Sequence, residues 1–157
     1  MTPSDNLQTR TNDFLSKHSL AFVGLSRDEK HMSRTLFEEF RKRGYAVYPV
    51  NPHADEIGGV VCYPSISALP EDVEAAFIIR RKKDVTASVR ECAQKGIRHV
   101  WVFGTAGRQS IDPNIPSLAQ ELGLYLVGGY CPFMFFHDTM FIHRLHAWIL
   151  RLMGRMS

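Results

Sequence analysis

The sequence predicts a doubly wound α/β domain on a five-stranded parallel sheet, and three observations predict it. Short apolar runs alternate with stretches of helical period. The runs are apolar on consecutive residues, as strands buried on both faces require. Turn-forming glycine, proline or asparagine punctuates the chain between them. The 157 residues suit a single domain. Its core is expected over about 15–133, with an extra helix at each end.

The first strand is expected over 20–24, where Leu20-Ala21-Phe22-Val23 runs into Gly24. A helix over 33–43 follows. Ser33 is its expected N-cap, Leu36, Phe37 and Phe40 share a face, and Gly44 stops it. The second strand, 45–50, is closed by Asn51-Pro52. Residues 53–70 read as a long connection with one short helix, because Gly58-Gly59 and Tyr63-Pro64-Ser65 mark turns. The third strand spans 75–79. Asp84 is then the expected cap of a helix burying Val85, Val89, Cys92 and Ala93, with Gly96 ending it. The fourth strand is 99–103. After a loop over 104–113, Ile115, Leu118, Ala119 and Leu122 make a helical face, and the fifth strand is 124–127.

Two helices lie outside this plan. Residues 7–17 form a modest amphipathic helix placed on the sheet edge. A stronger one over about 139–153 carries Ile142, Leu145, Trp148, Ile149 and Leu152 on one side.

Bulk properties exclude several classes. With 45% hydrophobic and 22% charged residues, the chain is not of disordered composition. A net charge of +3 and no basic stripe argue against a nucleic-acid partner. No apolar stretch approaches membrane-spanning length, and 1–10 lack the apolar core of a signal peptide. Three cysteines without regular spacing read as reduced thiols in the cytoplasm rather than a disulfide framework.

Right-handed crossovers put every strand-to-helix loop on one edge of such a sheet, where ligands bind. The first of these loops, Gly24-Leu25-Ser26-Arg27, ends at a helix N-terminus, an arrangement that attracts phosphate. Ser26 and Ser33 offer hydroxyls, while Arg27 and Lys30 offer charge. The bland alternative is a plain turn. Asn51, Pro52 and His53 stand at the end of strand two, as nucleotide contacts or as an Asx turn. Arg80-Arg81-Lys82-Lys83 follows strand three. Cations oppose the dipole at a helix start, so a local anion accounts for Arg80 and Arg81, whereas Lys82 and Lys83 read as solvated. A dinucleotide site would show G-x-G-x-x-G in the first loop and an acid after strand two. This chain has only Gly24 in the one place and Asn51 in the other, which counts against NAD and an oxidoreductase.

Ala21-Phe22-Val23-Gly24-Leu25-Ser26-Arg27, Gly44-Tyr45-Ala46-Val47-Tyr48-Pro49-Val50-Asn51-Pro52 and Phe77-Ile78-Ile79-Arg80-Arg81 together resemble the small CoA-binding domain proteins. These are similar to the CoA-binding domain of the succinyl-CoA synthetase α-subunit. The likeness covers about 15–133, and its most specific part is Gly44 to Pro52. It implies a Rossmann-like fold and coenzyme A, or an acyl-CoA, as cofactor. It implies that Gly24, Leu25, Ser26, Arg27 and Ser33 hold phosphates, that Asn51, Pro52 and His53 meet the nucleotide, and that Arg80, Arg81, Phe103, Gly104 and Thr105 complete the cleft. Met32 departs from the proline often found before the serine. The synthetase's phosphorylated histidine belongs to a second domain, so ligase chemistry is not implied.

The resulting expectation is non-catalytic binding of CoA or acyl-CoA, as a sensor or carrier, with a homodimer allowed. Its rival is an acyl-CoA-processing enzyme using Cys131, in Gly128-Gly129-Tyr130-Cys131-Pro132. A half-buried turn residue is the simpler reading of Cys131, and Cys92 reads as core. His137, Asp138, His143 and His146 are expected to be a helix cap and surface groups rather than metal ligands.

Overall fold

The computed structural model describes residues 6–136. An N-terminal helix α1 (Leu7–Leu15) precedes β1 (Ser19–Val23), α2 (Met32–Lys42) and β2 (Ala46–Val50). A small hairpin, β3 (Glu56–Ile57) and β4 (Val60–Val61), leads to β5 (Ala75–Ile78) and α3 (Lys82–Lys95). Then come β6 (His99–Phe103), α4 (Ile115–Glu121), β7 (Tyr125–Tyr130) and a 3₁₀ turn, Pro132–Met134.

Five strands form the main sheet in the order β2-β1-β5-β6-β7, all parallel. The chain builds outward from β1 to β2, then crosses back over β1 to β5 and continues the other way. The order therefore reverses between β1 and β5, the position at which open parallel sheets bind ligands.

Strand alternation gives the two faces different cores. Leu20, Phe22, Ala75, Phe77, Trp101 and Val127 point to one face, with Ala21, Val23, Ala76, Ile78, Val100, Val102 and Leu126 on the other. The first face is aromatic. It is covered by Phe14 of α1, by Leu36, Phe37 and Phe40 of α2, and by the segment after β7. Phe14 meets Trp101 edge-on at 5.2 Å, and Phe22 meets Phe37 at 5.5 Å. The second face packs on Val85, Val89 and Cys92 of α3 and on Ile115, Leu118 and Ala119 of α4. Each buried Phe or Leu contributes roughly 1.5–3 kcal/mol by leaving water.

Several local expectations change. His31, not Ser33, caps α2: its Nδ1 accepts the amide of Ser33, which lies inside the first turn. Arg81, not Asp84, is the capping position of α3, and Asp84 sits within the first turn, where a carboxylate suits the dipole. The connection after β2 holds a hairpin where a short helix was expected, because Gly58 and Gly59 both take positive φ. Strand β7 continues past 127 to Tyr130. Helix α1 lies against β6 and β7. There Arg10 Nη1 donates to Leu126 O at 3.0 Å. The helix expected over about 139–153, with His137, Asp138, His143 and His146, lies outside the described residues. Among the described residues, no helix is long and apolar enough to cross a membrane.

Candidate functional site

The sheet edge at the β1/β5 reversal is formed by residues that follow β1, β2 and β5. At its floor, Ile79 N donates to Val23 O at 2.9 Å, and Gly24 N donates to Val50 O at 3.3 Å. Gly24 has φ 104°. A Cβ there would run into the carbonyl oxygen of Ile79 and the Cγ of Arg80. Only glycine lets the first loop close against the end of β5.

The loop from Gly24 to His31 is held by its own polar groups. Ser26 N donates to Ser33 Oγ at 3.0 Å, and Ser26 Oγ accepts Asp28 N at 3.1 Å. Asp28 Oδ1 accepts Lys30 N at 3.0 Å, and Arg27 O accepts Arg34 Nη1 at 3.4 Å. Ser33 is fully buried. Its hydroxyl thus holds the loop through the backbone of Ser26. Leu25 is buried too and points into the aromatic core.

Asn51 joins the second loop to the first. Its Nδ2 donates to Leu25 O at 3.0 Å while its Oδ1 accepts His53 N at 2.8 Å. The Asx turn and the bridging role are both present in one side chain. Pro52 and His53 are exposed beside it. On the β5 side, Arg80 Nη1 donates to Ser88 Oγ at 3.0 Å, and Arg81 Nε pairs with Asp84 Oδ2 at 3.1 Å. The local anion that accounts for Arg81 is therefore one the chain supplies.

The loop after β6 lies at the next position along the edge. Phe103 is half-buried edge-on to Phe77 at 6.2 Å, and Thr105 is half-buried. Gly104 is buried, and a Cβ there would strike Ser110 Oγ and the backbone of Gly129. Ser110 Oγ donates within reach of Gly107 O, 2.7 Å, and Gly129 O, 3.2 Å. This clasp closes the β6 and β7 ends onto each other. Gly104 serves that closure, so the structure brings Gly24–Arg27, Asn51–His53 and Arg80–Arg81 together and sets Gly104 apart as packing.

Cys131 is buried, and burial pushes its thiol up to about 11 despite a hydrogen bond from the Phe133 backbone that lowers it. Cys92 is pushed up to about 12 for the same reason. A protonated, enclosed thiol is a poor nucleophile. Cys131 belongs to the aromatic core.

The donor set fits a phosphate-bearing anion. The exposed side chains of Arg27, Lys30, Lys82 and Lys83 have no partner among the described residues. The first turn of α2 carries no acid. Sequence reasoning missed His31, Ser88 and Ser110. Histidine is not among the usual caps, and the partners of Arg80 and Gly104 lie eight and six residues on, a spacing that no sequence pattern marks.

Comparison with known proteins settles the family. The CoA binding domain family matches residues 18–137. The chain belongs to the CoA-binding domain family. CoA or an acyl-CoA is the cofactor that this assignment supports. Acetate–CoA ligase [ADP-forming] II of Archaeoglobus fulgidus is 38% identical over 124 residues, 74% of this chain and 18% of the ligase. The α-subunit of acetate–CoA ligase [ADP-forming] II from Pyrococcus furiosus is 30% identical over 125 residues, 75% of this chain and 27% of that subunit. This CoA-binding domain chain thus matches about a quarter or less of these ligases' length. Among solved structures, a conserved hypothetical protein from Pyrococcus furiosus superposes with TM-score 0.66 at 26% identity, covering 73% of this chain and 96% of that one. The dinucleotide-forming acetyl-coenzyme A synthetase 1 of Ca. Korarchaeum cryptofilum, in complex with phosphate and ADP, gives TM-score 0.62 at 25% identity, covering 80% and 27%. These relatives narrow the likeness drawn to succinyl-CoA synthetase: what is shared is the CoA-binding domain of ADP-forming ligases.

Proposed function

We propose that this domain binds CoA or an acyl-CoA without transforming it, as a sensor or carrier, in the crevice between the loops after β1, β2 and β5. The observation that carries this reading is the closure of those three loops on one another. Gly24 rests on Ile79 and Arg80, and Asn51 is tied to Leu25, beneath an exposed rim of Arg27 and Lys30. A closed floor with a cationic rim suits phosphates, and the backbone around Asn51 suits the nucleotide end. The absence of an acid at position 51 argues for CoA over a dinucleotide. The burial of Cys131, which pushes its thiol up to about 11, favours this reading over acyl transfer through that residue.

Thermal unfolding in the presence of ligand tests it. CoA is expected to raise the melting temperature, and NAD at equal concentration to raise it less. Equal shifts, or none, overturn the reading. Dephospho-CoA should stabilise less than CoA if Arg27 or Arg80 holds the 3′-phosphate. Copurifying acyl-CoA, read by native mass spectrometry, would identify the acyl group.

A further inference from the structure

We propose that Arg34 is a positioning residue for the ligand loop after β1, and that it keeps its place because the hairpin after β2 has no side chain at Gly58. The inference rests on the CoA reading of that loop, yet its first test needs no ligand. Arg34 lies in the first turn of α2, where its N donates to His31 O at 2.9 Å. Its Nη1 donates to Arg27 O at 3.4 Å. Its Nη2 lies against the hairpin turn: a Cβ on Gly58 would stand 2.7 Å from that nitrogen and 3.5 Å from Cζ. Among the described residues the guanidinium forms no ion pair, so these two contacts place it.

The target is a single peptide unit. Arg27 O and Asp28 N belong to the same plane. The N–H donates to Ser26 Oγ at 3.1 Å, while the oxygen accepts from Arg34. The unit is thus held at both ends, and with it the exposed Arg27 on the cationic rim. The bond from Arg34 is charge-assisted. Without it the peptide gains rotational freedom that ligand binding must then remove.

The hairpin acts as a fixed stop because it is anchored elsewhere. Ile57 is buried in the aromatic core, and Cys62 N donates to Asp55 O at 2.8 Å. Tyr63 N donates to Pro49 O at 2.8 Å, and Tyr63 O accepts Asn51 N at 3.0 Å. Gly58 and Gly59 both take positive φ, 59° and 79°. A side chain strains the turn at either position, but a Cβ at Gly59 meets nothing within 4 Å. At Gly58 the obstacle is the end of a flexible chain, which swings aside and leaves the fold intact. The backbone requirement of the turn and its contact with Arg34 are therefore separable.

The test compares wild type with Gly58→Asn, Gly59→Asn, Arg34→Ala and the double variant G58N/R34A. Asparagine tolerates left-handed backbone better than most residues, and both glycine variants leave every charge in place. Without ligand, the Asp28 amide resonance in G58N should shift toward its position in R34A and in G59N stay near the wild type. CoA affinity, by titration calorimetry, should fall about fivefold in G58N and in R34A, the factor that one hydrogen bond represents, and hold in G59N. Adding G58N to R34A should lower it no further, because the group to be displaced is already gone. An Asp28 amide unmoved in G58N overturns the inference, as does a further fall in the double variant. Equal loss in both glycine variants overturns it by making the turn itself the cause. Loss in R34A alone overturns it by reducing Arg34 to a charge that attracts the anion. A wild type that fails to bind CoA would instead overturn the CoA reading, while the amide result still judges the contact.

Discussion

Asn51 on the second loop holds the carbonyl of Leu25 on the first, with Nδ2 to oxygen at 3.0 Å. The two loops therefore move as one body. Asn51→Asp retains the acceptor for His53 N but loses the donor to Leu25 and faces a carbonyl with negative charge. It should cost about 1–3 kcal/mol in urea unfolding and weaken CoA binding in step. Asn51→Asp with unchanged affinity would separate the crevice from this tether.

Gly24→Ala tests the floor. Its φ of 104° strains any L residue, and the obstacle is the backbone oxygen of Ile79, which cannot swing aside. Destabilisation of more than roughly 2 kcal/mol is expected, with loss of ligand-induced thermal shift. By contrast, Gly44→Ala meets no atom within 4 Å and strains only its φ of 93°, so it should be the milder change.

Cys131 should behave as core. Because burial holds its proton up to about 11, alkylation at pH 7.5 should proceed only as fast as the protein unfolds. Mass spectrometry after timed iodoacetamide exposure measures this. Cys131→Ser should cost about 1–3 kcal/mol through a buried hydroxyl and leave CoA affinity unchanged. Rapid modification of the native protein would reopen a chemical role.

His99 stacks on Tyr125 at 5.0 Å, and its buried Nδ1 has no hydrogen-bond partner. Burial, then the charge of Lys17, lowers its proton affinity in the folded protein; Asp13 and Glu74 oppose this. The unfolded chain then binds more protons near the ordinary histidine range. Stability from this site is complete above that range and is lost as pH falls through it. His99→Phe keeps the stacking and should flatten the decline of melting temperature between about pH 7 and pH 5. An unchanged slope would place the acid sensitivity elsewhere.

The sheet was legible because its strands are apolar throughout and end in turn residues. Leu20 to Gly24 and Ala75 to Ile79 have no other stable reading in a chain of alternating helical faces. The crevice was legible in part. Gly24, Asn51 and Arg80 were found because chain punctuation and charge fall where strands end. Their partners were not, since Leu25 O and Ile79 O are backbone atoms that no residue type announces. The packing duties of Ser33 and Gly104 were not legible, because a small hydroxyl and an absent side chain serve close packing as well as they serve a phosphate. The hairpin after β2 escaped because two residues per strand carry no periodicity.

The guanidinium of Arg10 on the carbonyl of Leu126 has a meaning beyond the fold. Tyr125 N donates inward to Arg98 O, so the next residue along β7, Leu126, turns its oxygen away from the sheet, at the last strand in the order. An uncovered carbonyl there is a template on which another chain can add a strand. A charged side chain seated on it makes that addition costly, because the arriving strand must displace a cation. Arg10→Ala is therefore expected to lower yield and shelf life through aggregation, measured by light scattering over time, while leaving ligand affinity unchanged.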